Sequence, residues 1–156
     1  MTRACLSQWY PCRFEVDGIV YNCAEQYMMA EKARTFSDEE TRRQILEATD
    51  PGVIKALGRK VQGFDAKIWA ERSYEVVKRA NLAKFAQNPA LLAFLRWTAG
   101  KLLVEASPYD RTWGIGMREC AVASDPHRWK GTNKLGFALT EVREMLLSSG
   151  PEAYMP

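Results

Sequence analysis

The sequence predicts a mainly helical α+β fold, a single domain with a small β-sheet in the form of a hairpin. Three observations predict it. Arg13-Phe14-Glu15-Val16 and Ile19-Val20-Tyr21 alternate about an Asp17-Gly18 pair, a strong short-range hairpin signal. Asp50-Pro51 and Asn88-Pro89 each set a capping residue before a proline suited to a first helical position. Apolar residues at helical spacing run through most of the remainder.

Taken in order, the hairpin is followed by a helical pattern from Ala24 to about Phe36. Ser37, with Glu40 three residues on, reads as a capping box opening a helix towards Ala48. Asp50-Pro51 starts a short helix carrying Val53, Ile54 and Leu57 that stops near Gly58. Asp65 caps the longest helix, to about Ala86, with Trp69, Ser73, Val76, Val77, Ala80 and Ala83 on its inner stripe. The next helix runs from Asn88-Pro89 through Thr98 and is closed by Gly100. Leu102-Leu103-Val104 reads as a short buried strand, and 106–131 as a long, aromatic-rich loop of the ordered, functional kind. Thr132 or Asn133 opens the last helix, to about Leu147, with Leu135, Leu139, Val142 and Leu146 inward. The 156 residues divide into one domain over 1–149 and a tail over 150–156 that frays after Ser149.

Hydrophobic residues at 47% and charged residues at 26% exclude a disordered or collagen-like chain. No run of 18 apolar residues exists, so no membrane span is expected. Met1 is not followed by a charged start and an apolar stretch, so no secretion signal is expected and the predicted location is cytoplasmic. Cys5, Cys12, Cys23 and Cys120 then read as reduced thiols. None forms a C-x-x-C pair and the sole histidine, His127, stands beside Pro126 in a loop, so neither a zinc site, a histidine-based hydrolase nor any cofactor is expected. Residues 51–90 carry eight Lys and Arg against three acids, a pattern that suits solvated helix faces or contact with phosphate or nucleic acid.

Three segments carry candidate chemistry. In Cys23-Ala24-Glu25-Gln26-Tyr27-Met28-Met29-Ala30-Glu31-Lys32-Ala33, Glu25 and Lys32 lie seven residues apart on one face of an amphipathic helix, about 10 Å by helical rise, with methionine between them. Apolar walls raise a carboxyl's pKa and lower an amine's, which suits acid–base or nucleophilic work; a solvent-facing pair is the bland alternative. In Glu105-Ala106-Ser107-Pro108-Tyr109-Asp110-Arg111-Thr112-Trp113-Gly114-Ile115-Gly116, an acid precedes Trp113 and two glycines, of which Gly114 permits close backbone approach to a ligand. A turn around a core tryptophan explains the same residues. In Trp129-Lys130-Gly131-Thr132-Asn133-Lys134-Leu135-Gly136, a glycine-bracketed segment runs into a helix whose amides suit an anion, while Asn133 also reads as a plain N-cap.

Together these motifs resemble the NADAR/YbiA-like family. The likeness runs through Ser7-Gln8-Trp9-Tyr10-Pro11, Asp17-Gly18, the Cys23–Ala33 segment, Leu57-Gly58-Arg59, Trp69, Lys84-Phe85 and Leu103-Val104-Glu105-Ala106-Ser107-Pro108. It closes with Asp110, Trp113-Gly114-Ile115-Gly116 and Trp129-x-Gly131-x-Asn133-x-Leu135-Gly136, covering about Leu6 to Leu147. Family members commonly carry a short aromatic-rich strand ahead of the Ser-Gln-Trp-Tyr segment, whereas six residues precede Ser7 here. That implies a trimmed start or a pocket more open on that side.

The resemblance implies a metal-free N-glycosidase that cleaves the ribose C–N bond of phosphoribosylaminopyrimidines, the early riboflavin intermediates. Other members of the family remove ADP-ribose from guanine bases of nucleic acid, so an ADP-ribosylated nucleic acid is a second partner class; a non-catalytic nucleotide-binding module is the third reading. Such a bond breaks through an oxocarbenium-like centre, which needs a proton donor for the leaving nitrogen and negative charge near the sugar. Glu25 and Asp110 divide those tasks. Lys32 either attacks an opened imine to give a Schiff base or holds a phosphate. Trp69 and Trp113 sandwich the base, and Arg59 or the Asn133 amide holds phosphate.

Overall fold

Asp17 and Gly18 both take positive φ, 52° and 77°, as a two-residue type I′ hairpin requires. The turn joins β1 (Phe14–Val16) to β2 (Ile19–Tyr21), antiparallel, with Phe14 opposite Tyr21. The computed structural model describes residues 2–155; Met1 and Pro156, the outer bounds of the two predicted spans, lie outside the described residues. The inner face of the hairpin is aromatic. Phe14 stacks on Tyr21 at 5.7 Å between centroids, and Tyr21 meets Tyr27 edge-on at 5.0 Å, which fastens the sheet to the first helix.

That helix, α1 (Ala24–Thr35), is the centre of the molecule. It packs against α2 (Glu39–Glu47), α3 (Pro51–Gly58) and α4 (Ala66–Ala86). Every residue from Ala24 to Glu31 is buried, so the first two turns of α1 are enclosed rather than amphipathic as the sequence predicted, while Arg34 in its last turn is exposed. Its polar side chains are satisfied inside. The Gln26 amide donates to the carbonyls of Ile45, Leu46 and Ala48 and its oxygen accepts from the Asn22 amide, while Glu31 pairs with Arg34 at 2.6 Å. Gly58 sets the α1–α3 approach: a β-carbon there would overlap the Met29 side chain.

Aspartate caps start α2, α3 and α4. Asp50 accepts from Val53 N at 2.9 Å, and Asp65 from Lys67 N and Ile68 N at 2.8 and 3.0 Å. The predicted Ser37 cap moves by one residue. Ser37 takes φ +57°, and the Asp38 carboxylate accepts from Thr41 N and, from across the chain, Gln62 N. α5 (Pro89–Trp97) and α6 (Lys134–Ser148) both pack on α4. Pro151–Tyr154 forms a 3-10 turn against α4 with Tyr154 half-buried, where the sequence predicted fraying.

The strand predicted at 102–104 is absent, because this segment pairs with a side chain and not with another strand. Asn133 is fully buried at φ +50°, and its amide bridges Leu103 O (3.0 Å) and Glu105 N (3.0 Å). Residues 111–115 then run alongside 130–135 in an irregular ribbon. Lys130, Thr132, Asn133, Lys134 and Leu135 donate their amides to the carbonyls of Ile115, Arg111, Gly114, Thr112 and Trp113. Two 3-10 turns, Ala121–Ser124 and Pro126–Arg128, complete the loop, and His127 is exposed there. All four cysteines are unpaired, and among the described residues no helix is long and apolar enough to cross a membrane.

Asn133→Ala should destabilise the fold by about 2–5 kcal/mol, since two buried backbone groups lose their partners and an L-residue is left in the left-handed region. Asn133→Gly should lose about 1 kcal/mol less, because only the strain is relieved. Urea unfolding of both variants measures this; equal losses would show that φ plays no part.

Candidate functional site

Along one side α1 borders a cavity of about 600 Å³, which Glu25, Met28, Met29 and Lys32 line. Among its lining residues are Glu25, Lys32, Lys55, Arg59, Asp110 and Trp113, drawn from α1, α3 and the 103–116 loop. Carboxylates and cations therefore face one space from different elements.

Glu25 sits in the first turn of α1 with 6% of its surface exposed. Its own backbone amide donates to Gln8 O at 3.0 Å. Burial pushes its carboxyl above the ordinary range; the positive charge of Lys55, a hydrogen bond from the Trp9 side chain and the charge of Arg59 pull it back, while Asp110 raises it. The Trp9 ring also lies 5.7 Å from the Lys55 ammonium, so one indole serves both charges.

Lys32, two turns along, is half-buried. Its ammonium donates to Gly58 O at 2.7 Å and lies 4.2 Å from the centre of the Phe64 ring. Burial, and then the neighbouring Arg59, hold its pKa below the ordinary lysine value. The Lys32–Gly58 bond exists because α3 ends hard against α1.

Asp110 plays a double part. One carboxylate oxygen accepts from Thr112 N (2.9 Å) and Trp113 N (2.7 Å), which shapes the turn that presents Trp113. Glu105 also lines the cavity, and burial followed by the charge of Asp110 raises its carboxyl.

Of the residues singled out from the sequence, the structure brings Glu25, Lys32, Arg59, Asp110 and Trp113 around one cavity. It does not bring Trp69, Gly114 or Asn133 there. Trp69 packs half-buried against the core on α4 and does not join Trp113 in lining the cavity. Gly114 is buried where a β-carbon would press on the Glu105 and Asp110 carbonyls at 2.8 and 2.9 Å, so it serves loop packing and not ligand approach. The Asn133 amide is spent on Gly114 O, as its neighbours' amides are on the ribbon, which leaves no anion site at the start of α6. Sequence reasoning missed Trp9 and Lys55 as site residues. Lys55 stands four residues before Arg59, a same-face spacing that pointed to it. Trp9 reaches the cavity only through tertiary contact.

Residues 1–147 match the NADAR domain family. N-glycosidase R617 of Acanthamoeba polyphaga mimivirus is 42% identical over 144 residues, covering 88% of this chain and 85% of that protein. N-glycosidase YbiA of Escherichia coli is 35% identical over 132 residues, covering 85% of this chain and 74% of its own. The NMR structure of the E. coli YbiA protein has the same mainly helical fold, with a TM-score of 0.75 at 33% identity, over 92% of this chain and 77% of that one. The chloroplastic riboflavin biosynthesis protein PYRR of Zea mays is 32% identical over 86% of this chain, which spans 21% of the maize protein.

A carboxyl whose folded pKa is raised stabilises the fold below its unfolded pKa, and that contribution is lost as pH rises through the folded pKa. Glu25→Gln, permanently neutral, should therefore melt higher than the parent at pH 7, with the gap closing towards pH 4. Calorimetry at both pH values measures it; a lower melting point at pH 7 would mean that the Glu25 carboxylate is stabilised and not penalised in place.

Proposed function

The chain belongs to the NADAR domain family, and from that premise we propose that it is an N-glycosidase hydrolysing the ribose C–N bond of phosphoribosylaminopyrimidine riboflavin intermediates. The observation that carries this reading is Glu25, a carboxyl of raised pKa at the floor of a cavity that also holds Lys32 and Asp110. The similarity to a maize protein named for riboflavin biosynthesis supports the pyrimidine substrate. On this reading residues 1–149 are the working domain and 150–156 a tail, of which Pro151–Tyr154 packs on α4.

The protonated Glu25 donates to the leaving nitrogen as the C–N bond breaks, and Asp110 holds negative charge near the anomeric carbon. The resulting Glu25 carboxylate takes a proton from water, whose oxygen joins that carbon, so the acid is regenerated. Trp113 offers a stacking face for the base. Arg59 and Lys55, one turn apart, hold the phosphate. A covalent branch runs through Lys32. Once the glycosylamine opens to its imine, the neutral amine adds to the anomeric carbon, the base leaves as an amine carrying both protons of the Lys32 nitrogen, and water then hydrolyses the lysine Schiff base. The lowered pKa of Lys32 favours the neutral amine this branch requires.

Two measurements test the reading. Glu25→Gln should lower kcat by roughly 10²–10⁴ for base release followed by mass spectrometry; a rate within threefold of the parent removes Glu25 from the chemistry. Run in parallel on ADP-ribosylated guanine, the same assay gives the substrate class, and no release from either substrate favours a binding module. Borohydride added during turnover should fix one sugar phosphate on the peptide containing Lys32. Unlabelled protein with undiminished activity would refute the covalent branch and leave direct attack by water.

A further inference from the structure

Lys84 is fully buried in α4 and plays no part in the chemistry above. Its ammonium forms no ion pair among the described residues. It donates to Ser7 O at 2.8 Å and faces the rings of Phe85 and Tyr10 at 5.1 and 5.7 Å. The titratable groups around it are three thiols: Cys5 in the turn before the Ser7 segment, Cys12 on the way into β1, and Cys23 just ahead of α1. Burial raises all three thiols, Cys12 to about 11, so at neutral pH they are uncharged and none acts as a counter-ion. Burial also brings Lys84 down to about 8. A methionine would fill such a position without the cost of an uncompensated charge, so packing alone does not account for a lysine here.

The partner of Lys84 does account for it. Ser7, Gln8 and Trp9 line the cavity. Three residues before Lys84, the fully buried Asn81 donates to the Gln8 side chain at 3.2 Å, a second anchor from the same face of α4. The Gln8 carbonyl in turn accepts the Glu25 amide at 3.0 Å, and the Trp9 side chain donates to the Glu25 carboxylate. We infer that Lys84 is a positioning residue: its ammonium holds the Ser7–Tyr10 wall against α4 and thereby sets where Trp9 meets Glu25. This deepens the reading of Glu25 as the acid, and its structural consequence holds apart from that reading.

Amide hydrogen exchange on the whole protein tests it, with Lys84→Met and Lys84→Arg. In Lys84→Met the Glu25 amide, which reports on its bond to Gln8, should exchange at least tenfold faster. Amides of α5 and α6 should keep their protection, and the melting temperature should stay level or rise. Lys84→Arg should restore part of the protection. Unchanged protection of the Glu25 amide in Lys84→Met overturns the inference, as does an equal loosening of α5 and α6. Should Lys84→Met not fold, Lys84→Gln decides by itself, since its shorter neutral side chain removes the ammonium from Ser7 O: unchanged protection of the Glu25 amide in that variant overturns the inference. Activity is read separately. Lys84→Met should lower kcat at least tenfold with its melting temperature held, whereas a parent protein that releases no base counts against the N-glycosidase reading and leaves the exchange result standing.

Discussion

Two successive helical turns buried all round have no solvent face for their polar side chains, so each must find partners within the protein or open onto a cavity. That constraint on α1 organises the molecule. Gln26 is consumed by the carbonyls that end α2, and Glu31 by Arg34. Lys32 is held by the carbonyl of Gly58. Glu25 is left with an indole and nearby positive charge instead of a direct ion pair, and with a cavity beyond. The reactivity assigned to Glu25 is thus a by-product of where α1 sits. The position of the Lys32 amine is likewise tied to the α1–α3 crossing distance, so the two cannot be tuned separately.

The opposite wall is built on a different principle. Residues 103–116 contain no regular element, yet many of their backbone groups are held by the ribbon with 130–135, by the Asn133 side chain and by the Asp110 carboxylate. An irregular loop secured this way holds its side chains as firmly as a strand would, while being free to turn Glu105, Asp110 and Trp113 towards one point. The glycines at 114, 131 and 136 belong to this construction: each lies where a β-carbon would press on a backbone carbonyl.

Local chemistry was the legible part of the sequence. The Asp17-Gly18 turn and the Asp50 and Asp65 caps act on neighbours two or three residues away, and the structure shows them where the pattern placed them. Spacing along one helix likewise put Glu25 and Lys32 on a common side. What depended on distant partners was misread. Asp38 displaces Ser37 as a cap because it also serves Gln62; Leu103 meets a side chain thirty positions away and no strand; Asn133 turns its amides to the loop and offers none to a ligand. Trp9 and Trp69 show the same limit from both sides. Both are tryptophans in motifs, and only the tertiary fold decides which one borders the cavity.

The bond between Ser7 and Lys84 spans 77 positions of sequence, and the neighbouring Gln8–Asn81 contact spans 73. Closing loops of that size costs chain entropy before any contact compensates for it, so this wall belongs to the slow, non-local part of the folding reaction. During synthesis at about 5–20 residues per second, the segment bearing Trp9 waits roughly 4–15 s for its anchor on α4 to be made. The cavity is therefore among the last features to form on the nascent chain, and a ribosome-bound fragment ending before α4 has no site to occupy.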